Sequence, residues 1–230
     1  MKFGIVVFPG SNCDRDCYHV VERVLDQEAE WVWHRDADLS GLDGVILPGG
    51  FSYGDYLRTG AIAKMSPVME AVAEFAETGR PVVGICNGFQ VLLECGMLPG
   101  AMLRNESLKF VCKDTYLRCR TDRSAVTGEL SVGDVVEIPV AHAEGNYHID
   151  EEGLGRLFDD DRVVFQYCDA DGEIDPASNP NGSLRNIAGI CNEAGNVVGM
   201  MPHPERAAEA LLGNDDGRAL LESAVAYAAD

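Results

Sequence analysis

The segment 84–90 (GICNGFQ) places a cysteine between two glycines at the predicted junction of a strand and a helix. A nucleophile on such a sharp turn needs small residues two positions before and after it, and Gly84 and Gly88 meet that demand. The free N–H groups and positive end of the following helix would stabilise a Cys86 thiolate and supply donors to an oxyanion. The pattern predicts nucleophilic catalysis by Cys86; a buried cysteine in a glycine-rich turn is the alternative.

A second segment, 201–205 (MPHPE), offers a base and a group that could orient it. A residue before proline is pushed into extended geometry, so His203 is expected to be extended, with Glu205 facing the same way. Glu205 can then orient the His203 ring while the other ring nitrogen faces a nucleophile. Read alone, the motif also fits a loop histidine beside a surface glutamate. With Cys86 it completes a nucleophile, a base and an orienting group.

His142 and Glu144 repeat the H-x-E spacing and form a competing pair. They lack the flanking prolines, but their segment, 141–147, could line a pocket. The remaining histidines of interest, His19 on the first predicted helix and His34 at the end of a strand, are expected to be structural or surface residues.

A glycine-rich segment, 47–55 (LPGGFSYGD), follows another predicted strand. The backbone N–H groups of Gly49 and Gly50 could approach a ligand closely, although an ordinary tight loop is the alternative. The sequence contains neither G-x-G-x-x-G nor G-x-x-x-x-G-K-[ST], so it carries no nucleotide-binding fingerprint.

The elements that must position these residues alternate strand and helix in the first half of the chain. Apolar runs predict strands at 3–8, 31–34, 44–47 and 81–85. Helices are predicted at about 13–25, capped by Ser11 or Asn12, at 66–79, and at 87–94. This rhythm indicates βαβ units and a largely parallel sheet.

The second half is richer in strands. Alternating segments at 110–119 and 134–140 predict antiparallel strands added to the sheet. Further strands are predicted at 163–168, 187–191 and 197–201, with a hairpin loop at 192–196 and a final helix at about 216–228. Because no repeat, linker or low-complexity segment is visible, residues 1–230 are expected to form a single domain.

The charge balance excludes several classes of partner. Acidic residues outnumber basic ones 38 to 18, which gives a formal charge of −20. Such a field repels phosphate backbones and anionic membrane surfaces, so neither nucleic acid nor membrane is expected as a partner.

Two explanations of the acidic charge remain. It could steer a basic partner, or it could reflect life in concentrated salt, because near 1 M the Debye length is about 3 Å and repulsion between carboxylates is screened. Only 4 of the 18 basic residues are lysine, which favours high salt.

The 8 cysteines do not indicate a secreted disulfide scaffold. Residues 1–8 lack the features of a signal peptide, no stretch approaches the roughly 18 apolar residues of a membrane span, and no C-x-x-C pair is present. The thiols are therefore expected to be reduced, the protein cytoplasmic, and no metal site is expected.

The combination of G-x-C-x-G-x-Q with a distant H-P-E resembles the class I (triad) glutamine amidotransferases. Five further segments resemble the glutaminase subunits of phosphoribosylformylglycinamidine synthase: 8–14, 49–55, 141–147, 179–183 and 200–206. The resemblance spans nearly the whole chain, and Ala143 stands where the pattern often has glycine. It implies a single-domain α/β fold of the class I glutamine amidotransferase (flavodoxin-like) type, with helices flanking the sheet.

The resemblance also implies roles for individual residues. Cys86 would attack the side-chain amide of glutamine, His203 would carry the thiol proton to the leaving ammonia, and Glu205 would orient the ring. Four residues would contact the substrate: the backbone N–H groups of Gly50 and Asn87 at the oxyanion, and the side chains of Gln90 and Phe51.

A γ-glutamyl thioester would form and be hydrolysed to glutamate. The ammonia would pass to a large PurL-type synthetase subunit, often joined by a small PurS-type subunit, which makes phosphoribosylformylglycinamidine in purine (IMP) biosynthesis. ATP and magnesium would bind to the synthetase, and no cofactor is implied in this chain. Two alternatives remain: a subunit serving another synthetase, and a non-catalytic glutamine sensor, which would need none of Cys86, His203 and Glu205.

Overall fold

The computed structural model describes residues 1–229, which form eleven strands and five α-helices. The strands are β1 (Lys2–Val7), β2 (Glu28–Trp33), β3 (Gly44–Leu47), β4 (Val82–Ile85), β5 (Ala101–Leu103), β6 (Val111–Cys119), β7 (Val135–His142), β8 (Asn146–His148), β9 (Val163–Cys168), β10 (Ile187–Cys191) and β11 (Val197–Met200). The helices are α1 (Asp14–His19), α2 (Pro67–Glu77), α3 (Asn87–Glu94), α4 (Glu151–Asp159) and α5 (Asp216–Ala229).

Nine strands form one mixed sheet in the order β2-β1-β3-β4-β11-β10-β9-β6-β7. The strands from β2 to β11 run parallel. The pairs from β11 to β7 are antiparallel. Strands β5 and β8 make a separate antiparallel pair. The predicted α/β architecture, a largely parallel sheet extended by antiparallel strands, is confirmed.

The centre of the sheet is covered on both faces, which explains its apolar sequence. Strands β3, β4, β9, β10 and β11 are buried at every residue, so they appear in the sequence as continuous apolar runs rather than alternating ones. Helix α2 contributes a stripe of buried side chains at helical spacing, Val68, Met69, Val72 and Phe75.

The neighbouring strands β4 and β11 determine where chemistry can occur. They are parallel, and Ile85 pairs with Met200 at their carboxyl ends. Ligands of open α/β sheets bind beyond the carboxyl ends of such strands. The segments that carry Cys86 and His203 leave this same edge, although they are far apart in the sequence.

The first helix differs from its prediction. Helix α1 continues into a π-helical turn, Val20–Val24, and its N-cap residue is Cys13. The expected capping by Ser11 or Asn12 is wrong, because the Ser11 hydroxyl accepts a hydrogen bond from the Phe8 N–H at 3.1 Å. Strands β5 and β8 and helix α4 were not predicted.

Within residues 1–229, no helix combines the length and hydropathy needed to cross a bilayer. All eight cysteines lie in this range and carry free thiols.

Candidate active site

Cys86 lies at the tight turn between β4 and α3. Its backbone adopts φ +50° and ψ −102°, a conformation that non-glycine residues rarely occupy and that is held only where the surroundings enforce it. The Cys86 N–H donates to the Met200 carbonyl at 2.7 Å, and its carbonyl accepts from the Gln90 N–H at 3.2 Å. The thiol is buried and lies 3.8 Å from the Ala141 carbonyl oxygen. The structure therefore forms the predicted strand-to-helix elbow.

The two glycines beside Cys86 are required by contact with neighbouring backbone. A Cβ atom on Gly84 would lie 2.8 Å from the backbone of Gly88. A Cβ atom on Gly88 would collide with the Leu47 carbonyl oxygen on β3. The two glycines of the G-x-C-x-G pattern are therefore explained by the close packing of the elbow against the sheet.

This packing predicts the effect of Gly88→Ala. The free energy of unfolding should fall by about 1–3 kcal/mol, the usual effect of overpacking a rigid site. Urea denaturation measures it. The matched control is Gly155→Ala on α4, where a Cβ meets nothing within 4 Å and alanine favours helix. Equal stabilities for Gly88→Ala and the wild type would contradict the steric account.

His203 and Glu205 form a buried pair. Nδ1 of His203 lies 2.7 Å from Oε1 of Glu205, and the two residues are only 1% and 2% exposed. The contact does not arise from an extended chain, as the sequence had suggested. Residues Pro204–Arg206 form a 3-10 turn after His203, whose φ and ψ are −107° and 83°. The turn folds the Glu205 carboxylate back onto the ring.

The environment of His203 favours its charged form. Burial alone would lower the pKa of His203, but the negative charges of Glu205 and of the Cys86 sulfur hold it well above its usual range. Nε2, the nitrogen not bound to Glu205, is buried and has no hydrogen-bond partner among residues 1–229. It is therefore the nitrogen available for a proton exchange with Cys86.

A cavity of about 50 Å³ opens beside the Cys86 sulfur. It is lined by Gly50, Phe51, Asp55, Thr59, Cys86, Gln90, Ala141, His142, Ala143 and Glu144. The predicted substrate-binding residues Gly50, Phe51 and Gln90 are thus brought to the predicted nucleophile.

Asn87 and Gln90 connect α3 to the loops around this cavity. The Asn87 amide donates to Oε1 of Gln90 at 2.9 Å, and the Gln90 amide donates to the Glu144 carbonyl at 2.6 Å. Oδ1 of Asn87 accepts from the Ser52 N–H at 3.1 Å. The backbone N–H of Asn87 begins α3, where helix geometry leaves it without an intrahelical acceptor. It remains free to bind an oxyanion.

The competing histidine, His142, is built into a neutral network. Its Nδ1 lies 3.1 Å from Oδ1 of Asn105, and Nδ2 of Asn181 approaches its Nε2 at 3.5 Å. Burial, together with the positive charge of His203, lowers the pKa of His142 to about 4. Glu144 does not orient this ring; its carboxylate accepts from the Thr59 hydroxyl at 3.2 Å. His142 therefore anchors the segment that lines the cavity.

Two residues near the pair were not singled out from the sequence. The Arg206 guanidinium donates to the Cys13 sulfur at 3.0 Å and lies 4.0 Å from Oε1 of Glu205. Cys13, His203 and Glu205 each offer a ligand atom within 4.8 Å of the others. These three could hold a metal by geometry, but the guanidinium on the sulfur opposes a cation there. The segments 8–14 and 200–206 contain Cys13 and Arg206, but neither segment indicates that the two side chains meet beside His203.

His19 and His34 lie outside the site. His19 is half exposed and lies 2.9 Å from Glu209. His34 is buried, 2.8 Å from the Tyr53 hydroxyl.

Comparison with known proteins agrees with this geometry. Residues 1–219 match the family described as the CobB/CobQ-like glutamine amidotransferase domain, which makes the chain a class I glutamine amidotransferase. Phosphoribosylformylglycinamidine synthase subunit PurQ of Salinibacter ruber is 58% identical over 96% of this chain and 94% of that protein. The PurQ subunit of Moorella thermoacetica is 56% identical over 98% and 95%. The chain belongs to the PurQ family.

Solved structures extend the comparison. A chain of the PurLQS structure from Thermotoga maritima matches with a TM-score of 0.87 and 42% identity, covering 98% of each chain. Another protein of Thermotoga maritima, described as a glutamine amidotransferase, matches with a TM-score of 0.56 and 16% identity, over 100% of this chain and 94% of that one. The second match shows the shared fold alone.

Proposed function

We propose that this chain is the glutaminase subunit of phosphoribosylformylglycinamidine synthase. It hydrolyses L-glutamine and delivers the ammonia for converting phosphoribosylformylglycinamide to phosphoribosylformylglycinamidine in purine biosynthesis. The observation that carries the proposal is the buried His203–Glu205 pair at the same sheet edge as the Cys86 elbow, in a chain 58% identical to a PurQ subunit.

The chemistry uses Cys86 as nucleophile. Its sulfur attacks the amide carbon of glutamine, and the backbone N–H groups of Gly50 and Asn87 hold the oxyanion. His203, oriented by Glu205, passes the proton of the thiol to the leaving nitrogen, so ammonia departs and a γ-glutamyl thioester remains. Water then attacks the thioester, His203 takes a proton from that water and gives it to the Cys86 sulfur as the carbon–sulfur bond breaks, and glutamate leaves. Phe51 and Gln90 line the pocket that receives the substrate.

A synthetase subunit completes the reaction. The similarity to a chain of the Thermotoga maritima PurLQS structure supports a PurL-type partner and a small PurS-type subunit. ATP and magnesium belong to the partner, in keeping with the missing nucleotide-binding motifs.

An exposed apolar surface lies close in sequence to the cavity-lining residues Asp55 and Thr59. It consists of Tyr56, Leu57 and Met65, which are 75%, 91% and 76% exposed. Such an apolar surface suits a docked subunit.

Co-purification with the synthetase tests the proposal. The complex should make the amidine from phosphoribosylformylglycinamide with glutamine and ATP, and release glutamate in step. Glutamate release without this amidination would instead indicate another synthetase. Glutamine binding with no glutamate release, even in the complex, would indicate a sensor.

The proposal extends to the setting of the protein. We propose that the chain forms one domain, and the core cluster that runs from Phe3 to Ala224 supports this. The protein works in a cytoplasm of concentrated salt, supported by the charge of −20 and by exposed acidic runs such as Asp159, Asp160 and Asp161.

Screening of these carboxylates predicts a salt-dependent stability. Raising KCl from 0.1 M to about 2 M should raise the melting temperature, because screening weakens the repulsion between neighbouring acidic residues. Thermal unfolding measures the change, and sucrose at equal osmolality controls for solvent exclusion. Equal stability and activity in dilute buffer and in molar KCl would refute the high-salt setting.

A further inference from the structure

Two carboxylates share the small cavity with Cys86, and the chemistry described above uses neither of them. Asp55 belongs to the glycine-rich loop after β3, and Glu144 to the segment after β7. The two carboxylates therefore come from distant parts of the chain and meet at the space beside the proposed nucleophile.

The carboxylates have few partners. Oδ1 of Asp55 is buried without a hydrogen-bond partner among residues 1–229. The Thr59 hydroxyl donates to Oε2 of Glu144 at 3.2 Å. None of the residues lining the cavity is lysine or arginine. Burial, together with the charge of Glu144, raises the pKa of Asp55 to about 6. Two like charges in one pocket are costly unless a cation joins them.

The backbone at Asp55 is also held in an unusual conformation. Tyr53, Asp55 and Leu57 have φ values of 54°, 54° and 74°, although none is glycine. Left-handed backbone at several non-glycine residues of one loop persists only where the fold enforces it. The loop thus maintains a strained shape that keeps the Asp55 carboxylate at the cavity.

The proposed substrate brings the missing cation. Free glutamine carries an α-ammonium group, separated from its side-chain amide by a short aliphatic chain. With the amide carbon at the Cys86 sulfur, the α-ammonium group would extend toward the other residues that line this space, which include Asp55 and Glu144. We infer that Asp55 and Glu144 bind the α-ammonium group of glutamine and so restrict the enzyme to the free amino acid. This inference rests on the proposed glutaminase function.

The consequence is a specific form of substrate selection. A glutamine residue within a peptide has an uncharged α-nitrogen, so it would leave both carboxylates of the cavity without a cationic partner. When a site binds a charged or polar group of its substrate, an analogue without that group is rejected strongly. The loss of an apolar contact gives much weaker discrimination. Protein glutamine side chains would therefore be poor substrates.

Binding should also depend on pH. Glu144, Cys86 and the neutral His142 are the other titratable groups that line the cavity. Because Asp55 must be ionised to pair with the ammonium group, the KM for glutamine should fall as the pH rises through about 6. A substrate without the ammonium group should not show this trend.

The test compares two substrates in the complex with the synthetase. One is L-glutamine; the other is glutaric acid monoamide, in which hydrogen replaces the α-ammonium group. Glu144→Gln and Asp55→Asn should each raise the KM for glutamine and lower the glutamine-to-monoamide ratio of kcat/KM. The ratio should fall roughly 10- to 100-fold, the effect of losing a hydrogen bond between charged partners. Glu70→Gln, at an exposed position of α2, removes the same charge and should leave the ratio unchanged.

The outcomes are distinct. Equal losses for both substrates in both variants would overturn the ammonium site, since the carboxylates would then only shape the cavity. If Asp55→Asn fails to fold, Glu144→Gln and the pH dependence of the wild-type ratio decide the matter. A flat ratio between pH 5 and 7 together with an unchanged ratio in Glu144→Gln would refute the inference while leaving the glutaminase function intact. A wild-type complex that releases no glutamate overturns both proposals.

Discussion

Cys86→Ser is expected to lower glutamate release from glutamine by roughly three orders of magnitude or more, the scale seen when a covalent nucleophile is lost. The change keeps the size of the side chain at the strained elbow, so the fold should survive. Steady-state glutamate release by the complex measures the effect. Amidination supported by added ammonia should persist, because the synthetase performs that step in the proposed reaction.

Cys112→Ser is the matched control. Cys112 is an exposed cysteine of β6, so its replacement should change neither stability nor glutamate release. Undiminished release by Cys86→Ser would remove Cys86 from the mechanism. A loss in both variants would point instead to a general effect of thiol replacement.

His203→Ala and His142→Ala should separate the two H-x-E pairs. His203→Ala should abolish thioester formation, because it removes the proton carrier and leaves Glu205 without its partner at 2.7 Å. Trapping the acyl-enzyme with labelled glutamine, followed by denaturation and counting, measures thioester formation. The expected loss is roughly 1,000-fold or greater.

His142→Ala should act on stability instead. It leaves Asn105 and Asn181 without their ring partner, which costs about 1–3 kcal/mol in the free energy of unfolding for a buried polar group. Thioester formation should remain detectable. If His142→Ala alone abolished it while His203→Ala did not, the assignment of the base would be wrong.

The elements with long or fully buried patterns could be predicted from the sequence. Strands β3 and β9 and helix α3 begin and end at the predicted residues, because continuous apolar runs and flanking turns define them. Strands β5 and β8 have three residues each, which is too short for a period to be visible. Helix α4 (EEGLGRLFD) contains two glycines that weaken its helical signal.

The site divides in a similar way. The elbow could be anticipated because Gly84 and Gly88 flank Cys86 within one short motif. The Cys13–Arg206 contact and the cavity position of Asp55 could not, because each depends on segments that only the tertiary fold brings together. The His203–Glu205 contact was predicted from an extended backbone, but a 3-10 turn at Pro204–Arg206 produces it.

The position of β11 in the sheet determines when the candidate site can form as the chain is synthesised and folds. This strand lies between β4 and β10, so it joins the parallel half to the antiparallel half. A ribosome that has released residues only as far as β10 exposes an unfinished sheet with two open edges at its centre. Cys86 is already present at that stage, but the Met200 carbonyl that binds its N–H and the His203 ring are not. The proposed nucleophile and its proposed base therefore come together only after the last strand inserts.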